Sequence, residues 1–210
     1  MPSRFFVTGT DTGVGKTVVS ALLCVALDAM YWKPIQTGTR EGTDCETILR
    51  LAQLPASRTI PEAYRFAPPV SPHLAARRAG VSIDLRKIKM PRIPAEQNLI
   101  VEGAGGALVP INATQLMTDL MQRLKLPVLL VSRTTLGTIN HTLLSLATLC
   151  GAQLDVRGVI MVGKPNVENR RAIEHYGKIR VIGFVPPLER INRRALIAVF
   201  ARHFDRKAFR

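Results

Sequence analysis

Four things are scarce in this chain. Aromatic residues make up 5% of its 210 residues, with a single tryptophan among them. So few flat side chains provide no stacking platform for single-stranded nucleic acid, whose readers set aromatics under successive bases. Cysteine is sparse too. Cys24, Cys45 and Cys150 are odd in number and scattered, without a CxxC spacing, which argues against a disulfide framework or a zinc site. No apolar run approaches the length that spans a bilayer, and no basic-then-apolar leader precedes the first apolar strand. The expected setting is therefore cytoplasmic, with no membrane partner. Acidic residues are the fourth shortage: 15 Asp and Glu face 29 Lys and Arg, for a net charge of +14.

A field of that sign favours nucleic acid, anionic lipid or small anionic substrates. Basic residues thicken toward the end, with twelve Lys and Arg against four Asp and Glu over residues 164–210. Without interleaved aromatics, this reads as the solvated surface of an enzyme that handles anionic ligands, and no nucleic acid is expected. Hydrophobic residues are 47% of the total, ordinary for a globular protein. The length suits one α/β domain, residues 1–210, with a sizeable core.

What the chain does carry begins at once. Phe5-Phe6-Val7-Thr8-Gly9-Thr10-Asp11-Thr12-Gly13-Val14-Gly15-Lys16-Thr17 is a short apolar strand, a glycine-rich turn and the start of a helical pattern. Backbone N–H groups in such a turn point at phosphate oxygens, and the helix N-terminus adds partial positive charge. Gly13 and Gly15 let the backbone approach the phosphates, Lys16 can neutralise the β- and γ-phosphates, and the Thr17 hydroxyl can ligate Mg²⁺. One spacing departs from the general phosphate-loop pattern: Thr10 stands where a glycine is usual, with Gly9 one step earlier.

Apolar strand patterns recur at 4–8, 31–35, 98–102, 127–132, 156–162 and 181–185. Helical patterns lie between or after them, at 16–29, 44–52, 116–124, 138–149, 168–176 and 193–204. Near-continuous apolar strands alternating with helices indicate a P-loop NTPase-like α/β fold: a mostly parallel sheet, helices on both faces, a single domain. The proline-punctuated stretch 55–97 reads as loops around one short helix at 72–78.

In open parallel sheets, ligands bind beyond the carboxyl ends of the strands. Lys33 ends the second strand there, although a lysine at a strand end is more often a surface charge. Asp44 opens a helix, where it could equally serve as a cap. Glu102 ends the buried strand Leu99-Ile100-Val101 ahead of Gly103, Ala104, Gly105 and Gly106, which is how a carboxylate is offered to a magnesium ion beside a phosphate loop. Gly137, Thr138, Ile139 and Asn140 start a later helix whose free N–H groups suit a second anion, a carboxylate. His141 reads as a packed or capping histidine. Gly163 and the run Val185-Pro186-Pro187-Leu188 end the last strands, where a nucleotide base could rest.

Together these motifs resemble the dethiobiotin synthetase family over nearly the whole chain: VTGTDTGVGKT (7–17), WKPIQTG (32–38), the acidic position at Asp44, PVSPHLAA (69–76), VEGAGG (101–106), LPVLLV (126–131) and LGTINH (136–141). The Thr10 departure is this family's form of the loop. The resemblance implies carboxylation of 7,8-diaminopelargonate by CO₂, with ATP as co-substrate and Mg²⁺ as cofactor, and closure of a ureido ring by a C–N-forming cyclo-ligase. It makes Lys33 and Lys16 catalytic and gives the triphosphate to Gly13, Val14, Gly15, Lys16, Thr17 and Val18. Metal falls to Thr17, Asp44 and Glu102; Gly103, Ala104 and Gly105 lie near nucleotide and metal. Thr12 and Thr37 would meet the diamine, and Gly137 to Asn140 its carboxylate across a homodimer interface. Gly163, Pro186, Pro187 and Leu188 would border the base.

The sequence departs from the family pattern in three places. Gly163 stands where many members use asparagine to read adenine, which implies relaxed choice among ATP, CTP and GTP. The stretch before Trp32 is short, and the approach to Asp44 is shortened as well. A rival within the same superfamily is a partition-type ATPase that binds DNA, favoured by the charge; its extra loop lysine would fall at Asp11, of opposite sign.

Overall fold

The computed structural model describes residues 2–209. In chain order its elements are β1 (Arg4–Gly9), α1 (Lys16–Ala26), β2 (Met30–Trp32), β3 (Ile35–Gln36), α2 (Asp44–Ala52), β4 (Thr59–Ile60), β5 (Tyr64–Arg65) and α3 (Pro72–Arg78). There follow β6 (Leu99–Gly106), α4 (Met117–Leu124), β7 (Val128–Arg133), α5 (Thr138–Gly151), β8 (Val156–Val162), α6 (Val167–Gly177), β9 (Val181–Val185) and α7 (Arg193–His203). Seven strands form one sheet in the order β4-β2-β6-β1-β7-β8-β9, and all its pairings are parallel.

Alternation along each strand divides the core in two. Phe6, Leu99, Val101, Val128 and Leu130 face one side, against Met117 and Leu120 of α4, Leu146 and Leu149 of α5 and Ile173 of α6. Phe5, Val7, Ile100, Leu129 and Val131 face the other, against Leu22 and Leu23 of α1, Ile48 of α2 and Leu196 of α7. Strands buried on both faces lose the polar–apolar alternation of a half-exposed sheet, so they read as solid apolar runs. The expected fold class, a parallel sheet with helices on both faces in one domain, is the one observed.

Local differences have local causes. The strand expected at 31–35 is two strands in two sheets: β2 joins the main sheet, whereas β3 pairs with β5 in a separate two-stranded sheet. Pro34 stands between them, and proline has no N–H to continue a ladder. Within the stretch expected as loops, β4 supplies the edge of the main sheet beside β2. The first helix stops at Ala26, three residues short of expectation, because Asp28 takes a left-handed φ of 51°.

The chain runs from β1 toward the β4 edge; after β6 it crosses β1 and continues toward β9. The carboxyl ends of β1 and β6 thus meet at the topological switch point, where such sheets open a crevice.

Candidate active site

The crevice is built around the exit of β1. Residues 10–15 turn the chain back into α1, with Gly13 and Gly15 at φ of 70° and 99°. Gly15 is also the residue before the helix, and a Cβ there would press within 3.0 Å of Val162. Only glycine meets both demands without strain. Lys16 is the first residue of α1; its ammonium is buried and donates to the Asp11 carbonyl at 2.8 Å, folding the side chain over the loop. Burial lowers its pKa and the nearby Lys33 adds to that, although Glu102, Asp44 and Asp11 pull the other way.

Beside the loop lies a dense polar knot. The Thr17 hydroxyl lies 2.6 Å from Asp44 Oδ1 and 3.1 Å from Glu102 Oε1. The Lys33 ammonium bridges the same two carboxylates, 2.6 Å from Asp44 Oδ2 and 3.3 Å from Glu102 Oε1. Lys33 is 6% exposed and Glu102 1%, so neither is a surface charge. Asp44 is not the helix cap: Thr43 caps α2, accepting from the Glu46 N–H while Glu46 accepts from the Thr43 N–H. That reciprocal capping box leaves the Asp44 carboxylate free to face the crevice.

The crevice encloses about 700 Å³, within the range of small-molecule sites. Thr12, Gly13, Gly15, Lys16, Thr17, Val18, Lys33, Thr37, Asp44, Glu102, Ala104 and Gly105 all line it. Pro69, Val70, Ser71 and Pro72 form a further wall. Gly103 does not line it: a Cβ at Gly103 would meet the Phe6 ring at 2.9 Å, so the missing side chain there serves packing.

A model of the AAA-domain family matches residues 3–195. An ATP-dependent dethiobiotin synthetase of Nitrobacter hamburgensis is 48% identical over 204 residues, covering 97% of this chain and 95% of that one. One from Rhodopseudomonas palustris is 47% identical over 209 residues, at 100% and 97% coverage; one from Agrobacterium fabrum is 46% identical over 205 residues, at 98% and 96%. The chain belongs to the dethiobiotin synthetase family. Among solved structures, a ParA-family ATPase from Chlorobium tepidum superposes with TM-score 0.56 and 11% identity, over 96% of this chain and 93% of its own. A chain of the MinC:MinD cell division complex of Aquifex aeolicus gives 0.57 and 12%, over 92% and 86%. At such identities these two neighbours share the fold and nothing finer.

A second cleft of about 670 Å³ opens on the far side of the loop, lined by Gly13, Val14, Gly15, Arg133, Thr134, Gly163, Lys164, Asn166 and Pro187. Pro186 and Leu188 line neither cleft. Gly163 has a φ of 140°, and a Cβ there would collide with the Thr134 hydroxyl. Gly137, Thr138, Ile139 and Asn140 stand apart from both clefts at the start of α5. Gly137 is the N-cap with no side-chain hydrogen bond, Thr138 is tied to the Arg133 carbonyl, and Asn140 is exposed.

Four contributors escaped the sequence reading. Ser20 and Tyr31 both donate to Glu102 Oε2, at 2.8 and 3.1 Å. Burial, then the charge of Glu102, pushes the Tyr31 phenol well above its ordinary range, which keeps it a donor. Gln36 accepts from the Asp44 N–H at 3.2 Å, and Arg133 reaches across the loop to the Thr12 carbonyl at 3.1 Å. Ser20 had a usable signal: it follows Thr17 by three residues, on the same helix face. Arg133 ends a strand on the ligand side of the sheet. Tyr31 had none, because an aromatic in an apolar strand reads as core.

The donor set suits magnesium. Two carboxylates and a hydroxyl converge on one point, and a cation, the Lys33 ammonium, already stands between the carboxylates. Hard oxygen donors of this kind hold Mg²⁺, which completes its octahedron with phosphate oxygens and water rather than an all-protein cage.

Proposed function

We propose that the crevice closes the ureido ring of dethiobiotin, with Lys16 and Lys33 as its catalytic cations and Thr17, Asp44 and Glu102 as its Mg²⁺ ligands. Membership of the family supplies the ATP-dependent synthesis of dethiobiotin; the residue roles rest on one observation. Lys16, Thr17, Lys33, Asp44 and Glu102, spread over 87 residues of sequence, line a single crevice beside a phosphate-binding loop.

In this reading one amine of 7,8-diaminopelargonate takes up CO₂ and loses a proton to become a carbamate. A carbamate oxygen attacks the γ-phosphorus of ATP, ADP departs, and a carbamic–phosphoric anhydride remains. The second amine then attacks the carbonyl carbon, phosphate leaves, and the five-membered ring is closed. Little of this needs covalent help from protein. It needs charge neutralised and three reactants held in line. The loop N–H groups and Lys16 hold the triphosphate, while Lys33 lies where carbamate and γ-phosphate would meet. Thr17, Asp44 and Glu102 would hold Mg²⁺ beside the loop, where its charge would offset that of the transferring phosphoryl group. Thr12 and Thr37, on the crevice wall, would contact the diamine.

The carboxylate end requires another donor, and the start of α5 offers its first-turn N–H groups and the exposed Asn140, none of them lining its own crevice. We place it over the crevice of a second copy, in a homodimer. Leu136, fully exposed in the turn before α5, and Leu144, 60% exposed on α5, give this end of the helix apolar surface to bury. The second cleft would take the base, with no asparagine side chain at Gly163 to select it.

ADP release measured with ATP, Mg²⁺, bicarbonate and diaminopelargonate tests the reading. Omitting any one component should abolish release. Release that continues without the diamine would overturn it.

A further inference from the structure

The carboxylate of Glu102 is used asymmetrically. Its Oε2 accepts from Ser20 on α1 at 2.8 Å and from Tyr31 on β2 at 3.1 Å. Its Oε1 faces the opposite way, toward Thr17 at 3.1 Å and Lys33 at 3.3 Å. Ser20 and Tyr31 are wholly buried, and Glu102 is 1% exposed. The two hydroxyls belong to different elements, each locked in the core between sheet and helices. Turning Oε2 into the crevice would break both bonds and strand two buried donors, each at the cost of an unsatisfied polar group.

Divalent ions differ in what they ask of such a carboxylate. Magnesium is small, keeps a strict octahedron and takes one oxygen from each carboxylate. Calcium takes six to eight ligands and readily accepts a carboxylate through both oxygens. A glutamate able to offer only one oxygen therefore suits the first ion and handicaps the second.

We propose that Ser20 and Tyr31 are positioning residues that set the metal selectivity of the site: by occupying Oε2 of Glu102 they restrict it to single-oxygen ligation and disfavour calcium. The inference rests on the reading of Thr17, Asp44 and Glu102 as the metal ligands. Neither residue need touch nucleotide, diamine or ion. Their influence passes through Glu102 alone, as partners behind a metal ligand do elsewhere.

The test is binding rather than turnover. Wild type, Tyr31→Phe and the double variant Ser20→Ala/Tyr31→Phe are saturated with ADP, Mn²⁺ is bound and followed by electron paramagnetic resonance, and Mg²⁺ or Ca²⁺ is titrated in to displace it. Wild type should favour Mg²⁺. In the double variant the Ca²⁺-to-Mg²⁺ affinity ratio should rise about tenfold or more, the lower end of what losing such partners does to metal affinity. Tyr31→Phe alone, which keeps the ring in its buried place, should move the ratio in the same direction by a smaller amount. A ratio unchanged in both variants overturns the proposal, and if the double variant does not fold, an unchanged Tyr31→Phe does so alone. A purely structural role would lower thermal stability in EDTA without moving the ratio. Should wild type with ADP bind no Mn²⁺ at all, the metal-ligand reading itself fails, which is a different result from an unmoved ratio.

Discussion

At the scale of single residues, Lys33 meets two demands. In the proposed reaction its ammonium serves the transferring phosphoryl group, and in the fold it compensates the buried carboxylate of Glu102 and the half-buried one of Asp44. Burial alone would lower its pKa, but Glu102 and Asp44 outweigh burial and raise it above the ordinary 10.5. Burial likewise pushes Asp44 up, and the Lys33 charge, with hydrogen bonds from Lys33, Thr17 and Gln36, brings it below 3.8. Lys33→Met should therefore fail twice. Turnover should drop by about 10²–10³-fold, as when one preorganised donor to a transition state is lost. In EDTA the folded state should lose about 3–5 kcal/mol, because breaking one side of a buried pair leaves charge uncompensated. Urea unfolding across pH shows the sign. The Lys33 contribution is complete below pH 10.5 and fades as pH climbs through its raised folded value; that of Asp44 is complete above pH 3.8 and fades as pH falls through its depressed one. The stability gap between wild type and variant should be flat in between and narrow at both extremes. A gap that widens at either end would mean the pair is not what the mutation removed.

At the scale of elements, what could be read from sequence was what one element dictates by itself. The exit of β1, the glycines of its turn and the start of α1 are contiguous, so strand, loop and helix were all legible. Asp44 stood in an ambiguous place, and the neighbouring Thr43 resolved it by capping α2 through Glu46. The break between β2 and β3 follows from Pro34, but that β3 pairs with β5 depends on a partner 29 residues away with no distinctive pattern of its own. Two-residue strands such as β4 and β5 carry too few positions for alternation to register. Tyr31 donates to a carboxylate 71 residues distant, a contact set only when the sheet assembles. The end of β8 yields a prediction at this same scale. Gly163, with φ 140° and Thr134 against its Cβ position, adds no side chain of its own to the second cleft, the proposed site of the base. ATP, CTP, GTP and UTP, compared at matched concentrations in the ADP-type release assay, should give turnover within about tenfold of one another, since a site without a dedicated polar reader discriminates weakly. A steep preference for ATP alone would show that backbone groups or Asn166 read the base instead.

At the scale of the whole molecule, the question is how the proposed crevice, once it holds phosphate, would also hold the far end of a diamine acid. Within one chain the start of α5 and the crevice do not meet. A symmetric dimer brings the same patch of each copy against the other, and in the proposed homodimer each α5 would face the opposite crevice. This makes a prediction that no single-chain arrangement shares. Lys33→Ala disables the crevice of its own chain, and Asn140→Ala disables what its chain lends to the partner. In a heterodimer of the two variants, one site combines an intact crevice with an intact Asn140, while the other lacks both. Mixing equal amounts under conditions that exchange subunits makes half the dimers hybrid, so about a quarter of all sites should be restored. Assayed with the diamine near the wild-type KM, the mixture should be clearly more active than the average of the two parents. Activity that never exceeds that average would place Lys33 and Asn140 in the same chain's site, or remove Asn140 from it altogether.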